Sequence, residues 1–494
     1  MLHNKVGEQK RYNPSCHFNL LFVVGFMFVP LSAQTFSEYK NAQAESFQKY
    51  KDENDAKFNT YLKSEWEAYT AQIPDSLYEK PKPKELPHVP ERSDKYPWGA
   101  KPIKLQGAGP KVTIELVLPK ESVAPKEKKD ITIDFYGTSL EFTLPHAIDK
   151  AKFYPKEQEG ISNFFDEVVA TEYLPLIKEI DSTSKNMNLN DWGVYQLVLK
   201  LGKKIYTNEE EAKLLSWFFF NKLGYAVKVG LFNQKVFLMH YSRKVIYATP
   251  NYIIDAKKYF VLSNYAKEET GNIYTYAQNY PNANKPLDLT LTSLPFLSEN
   301  IKSKTLSFKQ YAHEYFIPYE YNQNLIDFMA SYPQADYETY FNAPIEQRSY
   351  TSIATAMKKY IDNKKTSEAM NFVLNFVQNA FIYKTDSEQF GREKVMFAEE
   401  TLYFDKSDCE DRAVLFSYLV KELFGVGVVG VKYKDHMATA LYIPMQGDSV
   451  KAGSRKFIIA DPTYINASIG ESIPKYRSLK PERFIVVSNT TKRQ

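Results

Sequence analysis

The feature that most constrains the fold is a helix-to-strand pattern that occurs twice, at residues 208–230 and again at residues 409–431. In the second occurrence leucines recur with helical spacing, Gly425 ends the predicted helix, and an alternating apolar strand follows. The first occurrence follows the same course, with Gly224 at the position of Gly425. The pattern predicts an α+β protein with a duplicated core. The alternative is chance similarity between two helix–strand segments.

Three residues of the second occurrence have the chemistry of a thiol enzyme. Cys409 lies at the predicted helix start, where the helix dipole and free backbone N–H groups lower a thiol pKa. His436 stands at the head of a predicted strand, and Asp461 ends the buried strand predicted over residues 456–460. Singly, each has an ordinary explanation: a buried cysteine, a structural histidine, a turn aspartate. Together they supply a nucleophile, a base and an orienting acid.

These segments resemble the transglutaminase-like superfamily, whose members share a papain-like cysteine-proteinase core. The matching pieces are residues 408–412 at the helix start, His436 followed by Met-Ala-Thr-Ala, and residues 461–464. The resemblance implies that Cys409 is the nucleophile, His436 the general base and Asp461 the orienting acid. Such domains include crosslinking enzymes, peptidases, amidases and inactive scaffolds, so the fold alone does not decide the reaction.

By this resemblance, the first occurrence is a degenerate copy of the papain-like core. In the match of residues 208–230 to residues 409–431, Asn208 takes the position of the nucleophile. When residues 243–252 are matched to residues 455–464, Thr249 takes the position of the acid, and the position of the base falls near Lys235. The copy therefore lacks all three residues of the triad. We expect it to bind, gate or brace the second copy.

The first 33 residues have the order of a secretory signal of an exported bacterial protein. Basic residues precede an apolar run at residues 20–31, and small residues end at Ala33, after which we predict cleavage. The alternative is an uncleaved anchor, but the run is shorter than the ~20 residues that a spanning helix needs. Export to a periplasm or out of the cell would leave Cys409 as the remaining cysteine, without a partner for an intrachain disulfide.

The rest of the chain divides by composition and periodicity. Aromatic residues recur every eleven positions, as at Phe36, Phe47 and Phe58, which predicts a long amphipathic helix. A dense run of prolines then predicts a linker or an extended wrapping arm. The predicted segments are the signal (1–33), the helix (34–72), the proline-rich segment (73–110), a small β unit with the degenerate copy (111–270, beginning with a strand at 111–118), a β-rich connection (271–344) and the catalytic domain (345–494).

Composition excludes several classes of function. Lys plus Arg number 63 and Asp plus Glu number 59, so no basic excess indicates a nucleic-acid partner. Two cysteines exclude a disulfide framework, and the histidines have no paired metal spacing. We find no glycine-rich phosphate loop and no later apolar run long enough to span a membrane. The sequence therefore predicts neither a metal nor an organic cofactor, and leaves the oligomeric state open.

The resulting prediction is an exported thiol enzyme that acts on amide or peptide bonds through an acyl-enzyme. Hydrolysis is favoured over crosslinking because water is always available as the acceptor. The expected partner is a protein or peptide substrate, for example a cell-wall peptide. The alternative is a non-catalytic cell-envelope binding or scaffold protein that keeps the fold.

Overall fold

The computed structural model describes residues 36–64, 66–78, 80–91, 129–262 and 271–488. The chain forms two compact units; the first ends at Glu53 and the second begins at Asn54. The predicted signal and the strand predicted at residues 111–118 lie outside the described residues. Within the described ranges, every helix is too short or too polar to cross a lipid bilayer.

The first elements are helix α1 (Phe36–Leu62) and strand β1 (Trp66–Tyr69). The predicted helix over 34–72 is therefore too long, because the chain turns after Leu62 and enters a sheet. The indole of Trp66 donates a hydrogen bond of 2.8 Å to the backbone oxygen of Leu62. In the second unit Phe58 is 1% exposed and packs edge-on against Tyr276 and Tyr280. This part of the aromatic repeat belongs to the protein's own core.

The first half of the large unit is a hairpin, a group of helices and a sheet. Asn208 caps the last of these helices by accepting hydrogen bonds from the backbone N–H groups of Glu210 and Glu211. The elements are β2 (Ile131–Phe135), β3 (Thr138–Phe142), α2 (Gln158–Val169), α3 (Leu174–Asn186), α4 (Asp191–Ile205), α5 (Glu209–Lys222), β4 (Val227–Phe232), β5 (Lys235–Tyr241), β6 (Asn251–Ile254), β7 (Lys257–Val261) and β8 (Ile273–Tyr276).

The second half repeats this order with a longer helical part. The elements are β9 (Ile301–Gln310), β10 (His313–Asn322), α6 (Gln323–Ala330), α7 (Tyr337–Phe341), α8 (Gln347–Ile361), α9 (Thr366–Asn379), β11 (Ile382–Tyr383), α10 (Asp386–Gln389), α11 (Ala398–Tyr403), β12 (Lys406–Ser407), α12 (Cys409–Phe424), β13 (Gly427–Lys432), β14 (Met437–Tyr442), β15 (Ser449–Ala452), β16 (Arg455–Ala460) and β17 (Arg483–Val486). The predicted mixed α+β class is confirmed.

The two sheets have the same strand order. The first is β8-β4-β5-β7-β6, with β1 added beside β8, and the second is β17-β13-β14-β16-β15. Neighbouring strands are antiparallel in both sheets, and a helix, α5 or α12, precedes the first strand of each. Each of these five strands therefore has a counterpart in the other sheet: β4 in β13, β5 in β14 and β7 in β16.

This correspondence corrects the residue match made from sequence. The counterpart of β16 is β7, whereas the predicted match at residues 243–252 precedes and enters β6. Leu262 follows β7 as Asp461 follows β16, so the end of β7, rather than Thr249, corresponds to the strand end that carries Asp461. The mismatch arose because residues 243–252 resemble residues 455–464 in type, although most of them precede β6. The residue before β5 is Gln234, next to the predicted Lys235.

Each sheet has apolar side chains on both faces, because successive residues of a strand point to opposite sides. One face of each sheet joins a continuous core that extends through both halves, with Val428 and Leu441 among the residues from the second sheet. The opposite faces have separate clusters, for example Phe237 and Met239 in the first sheet and Val429 in the second. This packing fixes the strand ends at which the candidate site lies.

Candidate active site

Helix α12 begins at Cys409, which is 1% exposed. Asp408 precedes the helix, and its backbone N–H donates a hydrogen bond of 3.1 Å to the carboxylate of Asp411. The helix stops at Gly425, whose φ of 65° is favourable for glycine. The structure therefore has Cys409 in the first turn of the helix, as predicted, but the thiol is buried.

His436 and Asp461 lie side by side at one edge of the second sheet. Strands β14 and β16 are antiparallel neighbours, so the residue before β14 meets the residue after β16. The His436 Nε2 and the Asp461 Oδ2 are 2.8 Å apart, and both side chains are almost wholly buried. The other Asp461 oxygen accepts hydrogen bonds from the backbone and hydroxyl of Thr463. The structure therefore contains the base and its orienting acid as a pair.

The pKa of Asp461 reflects this pairing. Burial acts to raise the pKa of its carboxyl, but the His436 charge and the hydrogen bonds from His436 and Thr463 outweigh burial, and the pKa is lowered. The Tyr476 ring stacks on the imidazole with the centroids 4.7 Å apart, and the Tyr433 ring, 4.8 Å from that of Tyr476, lies 6.4 Å from the imidazole. Asp461 is consequently a carboxylate that fixes the orientation of the His436 ring.

The Cys409 thiol has other partners in this structure. Its Sγ lies 3.1 Å from the Glu410 Oε2, to which it donates, and 3.7 Å from the hydroxyl of Tyr78. Among the described residues, no hydrogen bond joins Sγ to His436. The structure thus brings His436 and Asp461 together, and directs the Cys409 proton to Glu410.

These neighbours reverse the predicted acidity of the thiol. Burial raises the pKa of Cys409 well above its ordinary value, and the charges of Glu410 and Asp408 raise it further. The ammonium group of Lys82 acts in the opposite direction but does not outweigh them. The prediction that the helix start lowers this pKa is wrong for this conformation, since the helix start also carries the two acidic side chains that flank Cys409.

The site is covered by a segment that we call the arm, residues 72–78 and 80–91. Its beginning is anchored on the first sheet, where the Gln72 N–H donates to the Asn251 oxygen at 2.8 Å. Its end is anchored beside the second sheet, where the Val89 N–H donates to the Ile465 oxygen at 2.9 Å. Between these anchors, Tyr78 reaches the thiol. Apart from Gln72, the arm is the described part of the predicted proline-rich segment, and it passes over the candidate nucleophile, Cys409.

The arm also inserts Lys82 into a group of four carboxylates, which we call the acidic nest. The Lys82 Nζ lies 2.6 Å from Asp408, 2.7 Å from Glu410 and 2.9 Å from both Asp386 and Glu393. The Lys82 side chain is 3% exposed. Carboxylates so arranged are suited to a hard cation, and here the ammonium group of Lys82 occupies their centre.

Charge in the acidic nest is unevenly distributed. Burial and the neighbouring carboxylates raise the pKa values of Asp386 and Asp408 well above the usual range. Burial also acts to raise the pKa of Glu410, but the Lys82 charge and several hydrogen bonds lower it to about 2. Glu410 is therefore the ionised partner of Lys82, and its two oxygens join the ammonium group to the thiol.

Sequence reasoning missed the residues that surround the thiol. Tyr78 and Lys82 lie more than 300 positions before Cys409. They belong to the proline-rich segment, in which the prolines were the only sequence signal. Glu410 adjoins Cys409, but its contact with the thiol depends on side-chain direction. The sequence contains no periodic or spacing signal for any of these contacts.

Searches of the protein-family models, the curated proteins and the solved structures found no match to this chain.

Proposed function

We propose that the protein is a thiol enzyme of the transglutaminase-like type that acts on amide or peptide bonds. The observation that carries the proposal is the buried His436–Asp461 pair, at 2.8 Å, beside a helix that begins with Cys409. A histidine oriented by a carboxylate is the group that can take a proton from a thiol and return it to a leaving amine.

The proposal includes two papain-like cores in one chain. The identical order of five antiparallel strands after a helix supports a duplication, of which the second copy has the site. Gln234 precedes β5 and Leu262 follows β7, at the strand ends that correspond to those of His436 and Asp461, so the first copy is non-catalytic in this account. It also anchors the arm, since Lys258 of β7 forms an ion pair of 2.8 Å with Asp75. We therefore assign the first copy a bracing role.

The reaction proceeds in two steps. The Cys409 thiol gives its proton to the His436 nitrogen that does not face Asp461, and the thiolate attacks the substrate carbonyl carbon. The tetrahedral intermediate collapses, the amine leaves with the proton from His436, and a thioester remains on Cys409. Water then attacks the thioester, giving a proton to His436, and the acid product and the free thiol are released. An amine in place of water would give crosslinking.

This reaction requires the arm to move. In the covered form the thiol donates to Glu410, and Tyr78 lies 3.7 Å from Sγ, where a substrate carbonyl would have to approach. Withdrawal of Tyr78 and Lys82 would free the thiol to turn toward His436. Catalytic hydrogen bonds are commonly loose until substrate binds, so the covered form is the resting form in this account.

The proposed location is outside the cytoplasm, in a periplasm or beyond the cell, and it depends on the signal predicted at residues 1–33. Amino-terminal sequencing of the natural protein tests it: an amino terminus at Gln34 is expected. A protein or peptide substrate, such as a cell-wall peptide, is the proposed partner.

An acylating probe tests the thiol chemistry. A β-lactone should form a thioester on Cys409, detected by intact mass and peptide mapping, and the adduct should disappear with time as water hydrolyses it. His436→Ala should slow both formation and loss of the adduct, while His313→Ala, at an exposed position in the β9–β10 hairpin, should change neither. Absence of a Cys409 adduct in the wild-type protein and in Tyr78→Ala would contradict the proposal.

A second function is supported by the raised pKa of Cys409. A thiol that stays neutral behind a permanently fixed arm would make the protein a non-catalytic envelope scaffold. Cys409→Ala distinguishes the two functions in the source organism, since a scaffold should function normally without the thiol.

A further inference from the structure

We propose that the acidic nest beside Cys409 is a subsite for a primary ammonium group on a straight alkyl stem, the chemistry of a lysine-type side chain, and that Lys82 occupies it in cis. The subsite rests on the proposed function for its role in substrate selection. Its binding chemistry can be tested separately from the thiol.

The geometry of the acidic nest fits an ammonium group. Four oxygens from four different residues surround the Lys82 nitrogen at 2.6–2.9 Å. A primary ammonium is a compact charge with three donors that can be directed to separate acceptors, whereas a guanidinium presents a planar fork. The Tyr78 ring lies 5.1 Å from the Lys82 nitrogen and adds a cation–π contact.

One carboxylate oxygen in the acidic nest is unused. The Oδ1 of Asp408 is buried and has no hydrogen-bond partner among the described residues. Asp408 itself is 0% exposed. Burial of an acceptor without a partner costs free energy, so Lys82 does not satisfy the acidic nest completely. A ligand whose ammonium group reaches this oxygen would gain a hydrogen bond that the arm does not supply.

The position of the acidic nest connects it to catalysis. Glu410 accepts from Lys82 through Oε1 and from the Cys409 thiol through Oε2. An ammonium group in the nest is therefore separated from the sulfur by a single carboxylate. A substrate that replaces Lys82 would place its cationic group beside the nucleophile, and the enzyme would select substrates with a lysine-type residue near the reacting carbonyl.

An ammonium group already lies at the centre of the acidic nest, within 2.9 Å of all four carboxylates. Carboxylate oxygens are also ligands for divalent cations. A divalent metal in place of the ammonium group is therefore treated as a contrary outcome of the test.

Chemical complementation of a deleted ammonium tests the proposal. In the mature full-length chain with Cys409→Ala, which removes any contribution of the thiol, Lys82→Ala is titrated with n-butylammonium chloride. We expect a saturable rise in melting temperature, with affinity at least about tenfold higher than for tetramethylammonium, since a charged hydrogen bond contributes that much or more. Methylguanidinium should also bind more weakly. Wild-type Lys82 should block the effect.

Matched variants make the result decisive. Lys82→Met fills the space of the stem without a charge, so n-butylammonium should not stabilise it. If Lys82→Ala is recovered only unfolded, its refolding yield with and without n-butylammonium becomes the measurement, and a selective increase is expected. Equal effects of n-butylammonium and tetramethylammonium, no effect of either, or stabilisation by calcium alone would each overturn the subsite.

The outcome for the subsite is separate from that for the enzyme. Selective binding of n-butylammonium with a Cys409 that never forms an acyl adduct would retain the subsite and reject the proposed function. If Cys409 is reactive but n-butylammonium does not stabilise the Lys82→Ala variant, the proposed function is retained and the subsite is rejected.

Discussion

The two sheets have the same strand order but different residues at the corresponding strand ends. The first has Gln234 before β5 and Leu262 after β7, and the second has His436 before β14 and Asp461 after β16. Apolar side chains cover both faces of each sheet. The same sheet therefore forms with and without the reactive pair, so His436 and Asp461 are not needed for its architecture.

The largest expected difference between the halves is in reactivity. In a chain whose arm is opened by Tyr78→Ala and Lys82→Ala, adding His436→Ala should slow acylation of Cys409 by about 10²–10⁴-fold, the range for loss of a general base. Gln234→Ala, at the corresponding position of the first sheet, should leave the rate unchanged. Equal slowing by both substitutions would mean that the loss is structural.

The next largest effect concerns two lysines with buried side chains, Lys82 of the arm and Lys222 of α5. Lys82→Met should destabilise the protein by about 3–5 kcal/mol at pH 8, as expected when one partner of a buried ion pair is removed. Lys222→Met, which removes the ammonium group from a single carboxylate, Asp55, and leaves it the hydroxyls of Tyr173 and Tyr280, should cost a similar amount or less. Urea unfolding of both variants gives the comparison.

The pH dependence should separate the two lysine variants. Without an ammonium group the carboxyls of the acidic nest take up protons in the folded state, so Lys82→Met should recover stability as the pH falls from 8 to 5. Lys222→Met should recover less, because one carboxyl rather than several can take up a proton. A Lys82→Met variant equally unstable at both pH values would contradict the charge assignment of the nest.

A smaller effect is expected at the strand ends. Asp461→Asn should cost about 1–3 kcal/mol at pH 7, because a charged hydrogen bond is lost. The folded pKa of Asp461 is lowered, so this contribution is present above the unfolded pKa of ~3.9 and is lost as the pH falls through the folded value. Leu262→Asn in the first sheet should be destabilising at every pH. Parallel curves for Asp461→Asn and the wild type down to pH 2 would contradict this.

The smallest effect should be equal in the two halves. Gly224 and Gly425 end α5 and α12 with φ of 88° and 65°, and a Cβ at either position would meet no atom within 4 Å. Alanine at either position should cost about 1–2 kcal/mol, the cost of a left-handed backbone conformation. A difference of more than ~1 kcal/mol between the two in thermal unfolding would show that the helix ends are not equivalent.

The comparison also explains which parts of the molecule could be predicted from sequence. Helix α12 was predictable because its leucines are periodic and Gly425 ends it, both local signals. The meeting of His436 and Asp461 was predictable because one precedes an apolar strand and the other follows the next apolar strand, and two such strands pair antiparallel; the short strand β15 between them was predicted as a loop. The thiol environment was not, because Tyr78 and Lys82 approach Cys409 from a distant segment without regular structure.

The incorrect predictions have the same origin. The thiol pKa was predicted from the helix start alone, whereas burial of the thiol, followed by the charges of Glu410 and Asp408, raises it. Thr249 was matched to Asp461 because the residue types of 243–252 and 455–464 are similar, whereas strand pairing makes β7 the counterpart of β16. Local pattern therefore predicts elements, and long-range packing determines their chemistry.

The central claim is that Cys409 becomes a His436-assisted nucleophile once the arm withdraws. It is tested most directly by the pH dependence of iodoacetamide alkylation of Cys409, in the wild type and in the arm-opened variant with and without His436→Ala. We predict slow alkylation of the wild type, and rapid alkylation of the arm-opened variant well below the ordinary thiol pKa of ~8.5, lost with His436. Alkylation that follows an ordinary thiol in the arm-opened variant, whether or not His436 is present, would contradict the claim.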